Sequence, residues 1–116
     1  MTPEEETTEE KEDKITIKWP KKNGVRNTTL NLPKDCMKYF KAPAPEDFKV
    51  KFYDRSNSTY QKQIYLNGKY LGTAIAPTID HQENIKKVLF ILMGLGIDFN
   101  EIKRLFKSIF GANNGD

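Results

Sequence analysis

Few side chains in this 116-residue chain could make or break a covalent bond. His81 is the single histidine and Cys36 the single cysteine. A thiol or hydroxyl nucleophile needs a base within hydrogen-bond reach, and no local pattern brings Cys36 or a serine to His81, which reads as a solvated residue in a helix first turn. A zinc site needs several His or Cys at ligand spacing, and the folded body offers none. Gly94-Leu95-Gly96 follows a helical pattern instead of opening one, so it is not a dinucleotide fingerprint, and no phosphate-binding loop is present. The sequence predicts no catalytic residue, no metal, no cofactor and no small-molecule substrate, and hence no enzyme.

The remaining chemistry is non-covalent and comes from rings and cations. Tyr53, Tyr65 and Tyr70 lie in strand-like segments that also carry Lys49, Lys51, Gln61 and Gln63. If these segments pair, rings and cations share one sheet face. Such a face suits single-stranded nucleic acid, because rings stack bases at ~1–3 kcal/mol each and lysines neutralise phosphate. Cross-strand tyrosines also stabilise a sheet on their own. A second basic cluster, Lys21, Lys22 and Arg26, surrounds Asn23-Gly24, and a cationic hairpin tip contacts phosphate without reading sequence. A third, Lys103, Arg104 and Lys107, takes the outer face of the last helix, as a helix-turn-helix would require.

Charge is distributed unevenly in a way that supports a polyanion partner. The formal net charge of +3 divides into −6 over residues 1–13, where seven acids oppose Lys11, and +9 over the remainder, with 18 basic and 9 acidic residues. Residues 1–13 have no apolar residue after Met1 and read as a disordered acidic tail. Beside a basic body, such a tail either solubilises or competes for the cationic face. A lone cysteine rules out an internal disulfide and fits a reducing interior, and the polar N-terminus has none of the features of a targeting segment. A cytoplasmic home is expected. The apolar run from Val88 through Ile97 is about half of the ~20 residues needed to cross a bilayer, so no membrane partner is expected.

The elements that must position these residues follow from periodicity and punctuation. Ile15, Ile17 and Trp19 alternate up to Pro20, and Val25–Leu32 places Thr28, Leu30 and Leu32 inward, giving a hairpin about Asn23-Gly24. Pro33 opens a short helix over residues 34–41 with Cys36, Met37 and Phe40 inward. Ala42-Pro43-Ala44-Pro45 is an extended connector. A meander follows, with Phe48, Val50 and Phe52 alternating in its first strand, a polar loop at residues 54–58, and a type I′ turn at Asn67-Gly68. That turn pairs Leu66 with Lys69, Tyr65 with Tyr70, Ile64 with Leu71, Lys62 with Thr73 and Tyr60 with Ile75. Tyr60, Ile64, Leu66, Leu71 and Ile75 are then core, and Gln61, Gln63, Tyr65, Tyr70 and Ala74 face outward.

After Pro77 the period becomes helical. Asp80 with Glu83, and Asp98 with Glu101, make two capping boxes. The first helix buries Ile85, Val88, Leu89, Leu92 and Leu95, and Phe90, Ile91 and Met93 widen that stripe until it needs a second cover, which a homodimer contact or a protein partner would supply. The last helix buries Ile102, Leu105, Phe106, Ile109 and Phe110 and stops at Gly111, leaving residues 112–116 frayed. The fold class is α+β, an antiparallel sheet of about five strands packed by a C-terminal helical hairpin, as one domain over residues 14–111. The function expected is a non-enzymatic nucleic-acid-binding protein, DNA favoured over RNA and single-stranded or duplex, using Lys21, Lys22, Arg26, Lys49, Lys51, Tyr53, Tyr65 and Tyr70. The alternative is an adaptor or inhibitor that uses Phe90, Ile91 and Met93.

Overall fold

The period-two segments form two separate antiparallel sheets, and the period-3.6 segments close over both. The computed structural model describes residues 14–21 and 24–111. Its elements are β1 (Lys14–Lys21), β2 (Gly24–Asn31), a 3-10 turn (Lys34–Cys36), α1 (Met37–Lys41), β3 (Val50–Arg55), β4 (Ser58–Leu66), β5 (Lys69–Ile75), α2 (Ile79–Gly94) and α3 (Phe99–Phe110). This is the expected α+β order, with the five strands divided into a β1-β2 hairpin and a β3-β4-β5 meander. The expectations for residues 1–13, for Lys22 and Asn23, and for residues 112–116 lie outside the described residues.

The hairpin runs in unbroken register from Lys14↔Asn31 to Lys21↔Gly24. Two sequence expectations are corrected here. β1 does not stop at Pro20, which pairs opposite Val25; in a two-stranded ladder each strand keeps an unpaired outer side, where a missing N–H is tolerated. Gly24, expected in the turn, already belongs to the ladder and pairs with Lys21. Ile17, Trp19 and Leu30 are buried from the hairpin's inner face, as is Leu32 just beyond β2.

In the meander, Asn67 and Gly68 take φ of 52° and 86°, the positive values a type I′ turn requires. The first two pairs, Leu66↔Lys69 and Tyr65↔Tyr70, are as expected, but the next is Ile64↔Gly72. Leu71 is the extra residue of a β-bulge. The bulge has a packing cause: Gly72 faces the core beneath Phe106, and a Cβ on Gly72 would lie 3.1 Å from Phe106 Cε2. Past the bulge the register moves by one, to Lys62↔Ala74 and Gln61↔Ile75. Ala74, expected outward, is therefore fully buried, and Tyr60, expected in the core, is 48% exposed. At the other end, β3 extends to Arg55 and β4 starts at Ser58, so the polar loop shrinks to Ser56-Asn57. Gly72 also holds φ of 154°, so Gly72→Ala meets both backbone strain and the Phe106 ring. It is expected to lower stability by about 1–3 kcal/mol, read as a lower midpoint in urea denaturation.

The helices begin and end by identifiable contacts. α2 starts two residues before the expected cap: Thr78 is the N-cap and its hydroxyl accepts from His81 N at 3.2 Å, which leaves Asp80 in the first turn. A β-conformation residue directly after Pro77 is free to cap, whereas Asp80 is already helical. At the far end Gly96 N–H reaches Met93 O at 3.0 Å and Ile97 N–H reaches Leu92 O at 3.3 Å, a Schellman closure with Gly96 at the left-handed position. Asp98 caps α3 as expected, accepting from Glu101 N at 2.9 Å.

One apolar core joins all layers. It contains Ile17, Trp19 and Leu30 of the hairpin, Ile64, Leu66, Leu71 and Ala74 of the meander, and the buried stripes of α2 and α3. Trp19 sits at the junction with no exposed surface, its ring 4.5 Å from Phe110 and 5.1 Å from His81 between centroids. His81 is thus half-buried against an indole and not simply solvated.

Candidate nucleic-acid interface

The core-facing alternation of β4 decides which sheet face is open. Ile64 and Leu66 point to the helices and are buried, so Gln63 and Tyr65 between them point away. β3 pairs with β4 through Lys51↔Tyr65 and Tyr53↔Gln63, which places Lys51 and Tyr53 on the same face, and Tyr70 joins them through its pairing with Tyr65. The bulge falls just beyond Tyr70, so it alters the core side and leaves this ring in place. The Tyr65↔Tyr70 pair is the one the Asn67-Gly68 turn predicts, and the β3-β4 ladder supplies the register that brings Lys51 and Tyr53 beside it.

The three tyrosines form a linked row. Tyr53 and Tyr65 meet edge to face with centroids 5.5 Å apart, and Tyr65 and Tyr70 are tilted at 5.3 Å. Such pairs add about 0.5–1.5 kcal/mol beyond area burial, so the row is partly self-supporting. Tyr65 in the middle is half-buried, and the outer rings remain open, Tyr53 at 51% and Tyr70 at 43% exposure. Tyr70 Oη and Thr73 Oγ1 are 3.0 Å apart, which fixes the outer ring. An open concavity of about 820 Å³ lies along this face, lined by Lys49, Lys51, Tyr53, Gln63, Tyr65, Asn67 and Gly68.

Its electrostatics are one-signed. Lys49 and Lys51 are exposed, and among the described residues no carboxylate pairs with either. Arg55, which the sequence reading left in a loop, donates from Nη1 to Gln61 Oε1 at 3.0 Å and adds a third cation at the far end. The signal was its odd-numbered place after Lys51 and Tyr53. Lys62 goes the other way: opposite Ala74, it is buried and its Nζ bonds Asp54 Oδ1 at 2.7 Å and Thr59 O at 2.5 Å.

The remaining expected site residues are not brought to this face. Arg26 shares the inner face of β2 with Thr28 and Leu30, and its Nη2 donates to the carbonyls of Ile109 at 3.0 Å and Gly111 at 3.1 Å. It closes the C-terminus of α3, where a cation suits the helix dipole, in place of the phosphate contact expected of it. Its parity with Leu30 was the available clue. Lys22 and the Lys21 side chain lie outside the described residues. Lys103, Arg104 and Lys107 are exposed on α3, with Arg104 paired to Glu101.

The apolar surplus of α2 is covered in part within the chain. Phe90 meets Phe48 at 5.3 Å and Tyr39 at 6.3 Å between ring centroids, so α1 and the residues just before β3 supply part of its cover. Ile91 is buried, and Met93 alone of the three is exposed, at 38%. Among the described residues no group of three or more His, Cys, Asp or Glu could hold a metal ion, and no helix is long and apolar enough to cross a membrane. Compared with protein-family models, with curated proteins and with solved structures, the chain finds no match.

Proposed function

We propose that this chain is a small non-enzymatic nucleic-acid-binding protein that takes a strand of DNA across the open face of the meander. What supports the reading is the linked row of Tyr53, Tyr65 and Tyr70 on the sheet face the helices leave bare, beside Lys49 and Lys51, with which no carboxylate among the described residues pairs. The outer rings offer faces on which unpaired bases stack, Tyr65 holds them apart, and the lysines neutralise phosphate. Duplex bases are already stacked and would gain little, so the single strand is the preferred form. The buried thiol of Cys36 fits a reducing, cytoplasmic home. Less supports an adaptor built on Phe90, Ile91 and Met93, since the chain buries Ile91 and partly covers Phe90.

The test is a fluorescence titration with a short single-stranded oligonucleotide of about four nucleotides. Two neutralised phosphates give log affinity against log salt a slope of about −1.4, and truncation before Lys14 should raise affinity by removing the competing acids. A salt-independent signal, or no binding at low salt, would contradict the reading.

A further inference from the structure

At the tip of the meander the basic surface continues past the tyrosine face and turns a corner. Lys69 pairs with Leu66, so it points to the helix side of the sheet. There its Nζ lies 5.1 Å from the centroid of the Phe99 ring, and Lys103 Nζ of α3 lies 5.8 Å from the same centroid. Two exposed ammonium groups thus share one half-buried ring. The carboxylates that flank Phe99 in the chain are both engaged: Asp98 accepts from Glu101 N–H and Glu101 pairs with Arg104. Among the described residues no acid bridges Lys69 and Lys103. Gly68, which lines the concavity on the open face, is the chain neighbour of Lys69, so the two basic surfaces meet across a single turn.

We propose that Lys69 and Lys103, both seated on Phe99, form a second phosphate-binding point, reached by a single strand that leaves the tyrosine face and bends round the Asn67-Gly68 tip. The proposal rests on the reading of the tyrosine face given above and adds to it a direction and a length. Cation–π seating limits where each ammonium can go while leaving its N–H groups free to donate, so the ring works as a spacer for two like charges that an anion between them would relieve. The corner selects the ligand. Duplex DNA has a persistence length of about 150 base pairs and cannot touch both sides of one hairpin tip, whereas a single strand can fold over it within a few nucleotides.

The test compares single-stranded oligothymidylates of about four and about twelve nucleotides on the full chain and on Lys69→Glu/Lys103→Glu. A second variant, Lys14→Glu/Lys18→Glu, makes the same change of net charge on exposed positions of β1. The longer oligomer should bind the unmodified chain with a salt slope steeper by about 1.4 than the shorter one. Lys69→Glu/Lys103→Glu should abolish that difference and weaken the longer oligomer about tenfold or more, with the shorter one changed less than about twofold. Equal losses at both lengths, or the same losses in Lys14→Glu/Lys18→Glu, would overturn the second point and indicate only general charge attraction. If the longer oligomer binds the variant as it binds the unmodified chain, the second point falls while the tyrosine face stands. If neither length binds the unmodified chain, the reading of the tyrosine face fails, and this proposal with it.

Discussion

Trp19→Ala is expected to lower the free energy of unfolding by about 3–5 kcal/mol, the range for removing a fully buried large aromatic side chain. The indole has no exposed surface and joins the hairpin to α3 through Phe110 and to the start of α2 through His81. Since small domains are stable by only about 5–15 kcal/mol, that loss leaves the variant near its unfolding threshold. The indole Nε1 meets no acceptor among the described residues, and a buried donor without a partner carries a desolvation cost of about 1–3 kcal/mol. Trp19→Phe keeps most of the ring contact and removes that donor, so it should lose clearly less stability than Trp19→Ala. Urea denaturation of the two variants checks both halves. Equal losses would mean that the ring's size matters less than its position in the ladder.

The second large effect concerns binding. Tyr53→Ala/Tyr70→Ala removes the two open rings, and at about 1–3 kcal/mol per stacked base it should weaken the short single-stranded oligonucleotide by about thirtyfold or more. Tyr53→Phe/Tyr70→Phe keeps the aromatic faces and should bind within a few-fold of the unmodified chain, because the Tyr70 hydroxyl bonds Thr73 and is not needed for stacking. Both positions are exposed, but the variant also loses two ring pairs worth about 0.5–1.5 kcal/mol each, so urea denaturation of the same variant separates lost stacking from unfolding.

What the sequence made legible was local. The Asn67-Gly68 turn carries its own backbone requirement, so the Tyr65↔Tyr70 pairing follows from residues close together in the chain, whereas Lys51 and Tyr53 join that face only through the β3-β4 register. The Asp98 cap is legible for the same reason. What was not legible depended on another layer. The bulge at Leu71 exists because Phe106, more than thirty residues later, packs on Gly72, and no alternation rule within β5 contains that fact. The cover on Phe90 comes from Tyr39 and Phe48, and neither the short helix nor the alternation of Phe48 with Val50 and Phe52 names the helix those rings meet. Arg26 and Thr78 are different, for the information was present. Arg26 has the parity of Leu30, and Thr78 is the first capping residue after Pro77, yet the neighbouring lysines and the stronger-looking Asp80 pointed elsewhere. The fold was therefore more readable than the site's limits. Arg55 joined the face and Arg26 left it only once strand ends and the core side were fixed.

The central claim is that the bare face of the meander grips a single strand by stacking and charge together. The most direct measurement is the affinity of a short single-stranded oligonucleotide, at two salt concentrations, for the unmodified chain, Tyr53→Ala/Tyr70→Ala and Tyr53→Phe/Tyr70→Phe. The account predicts salt-sensitive binding that the alanine pair loses and the phenylalanine pair keeps. Binding that survives loss of both rings, with the fold intact, would contradict it.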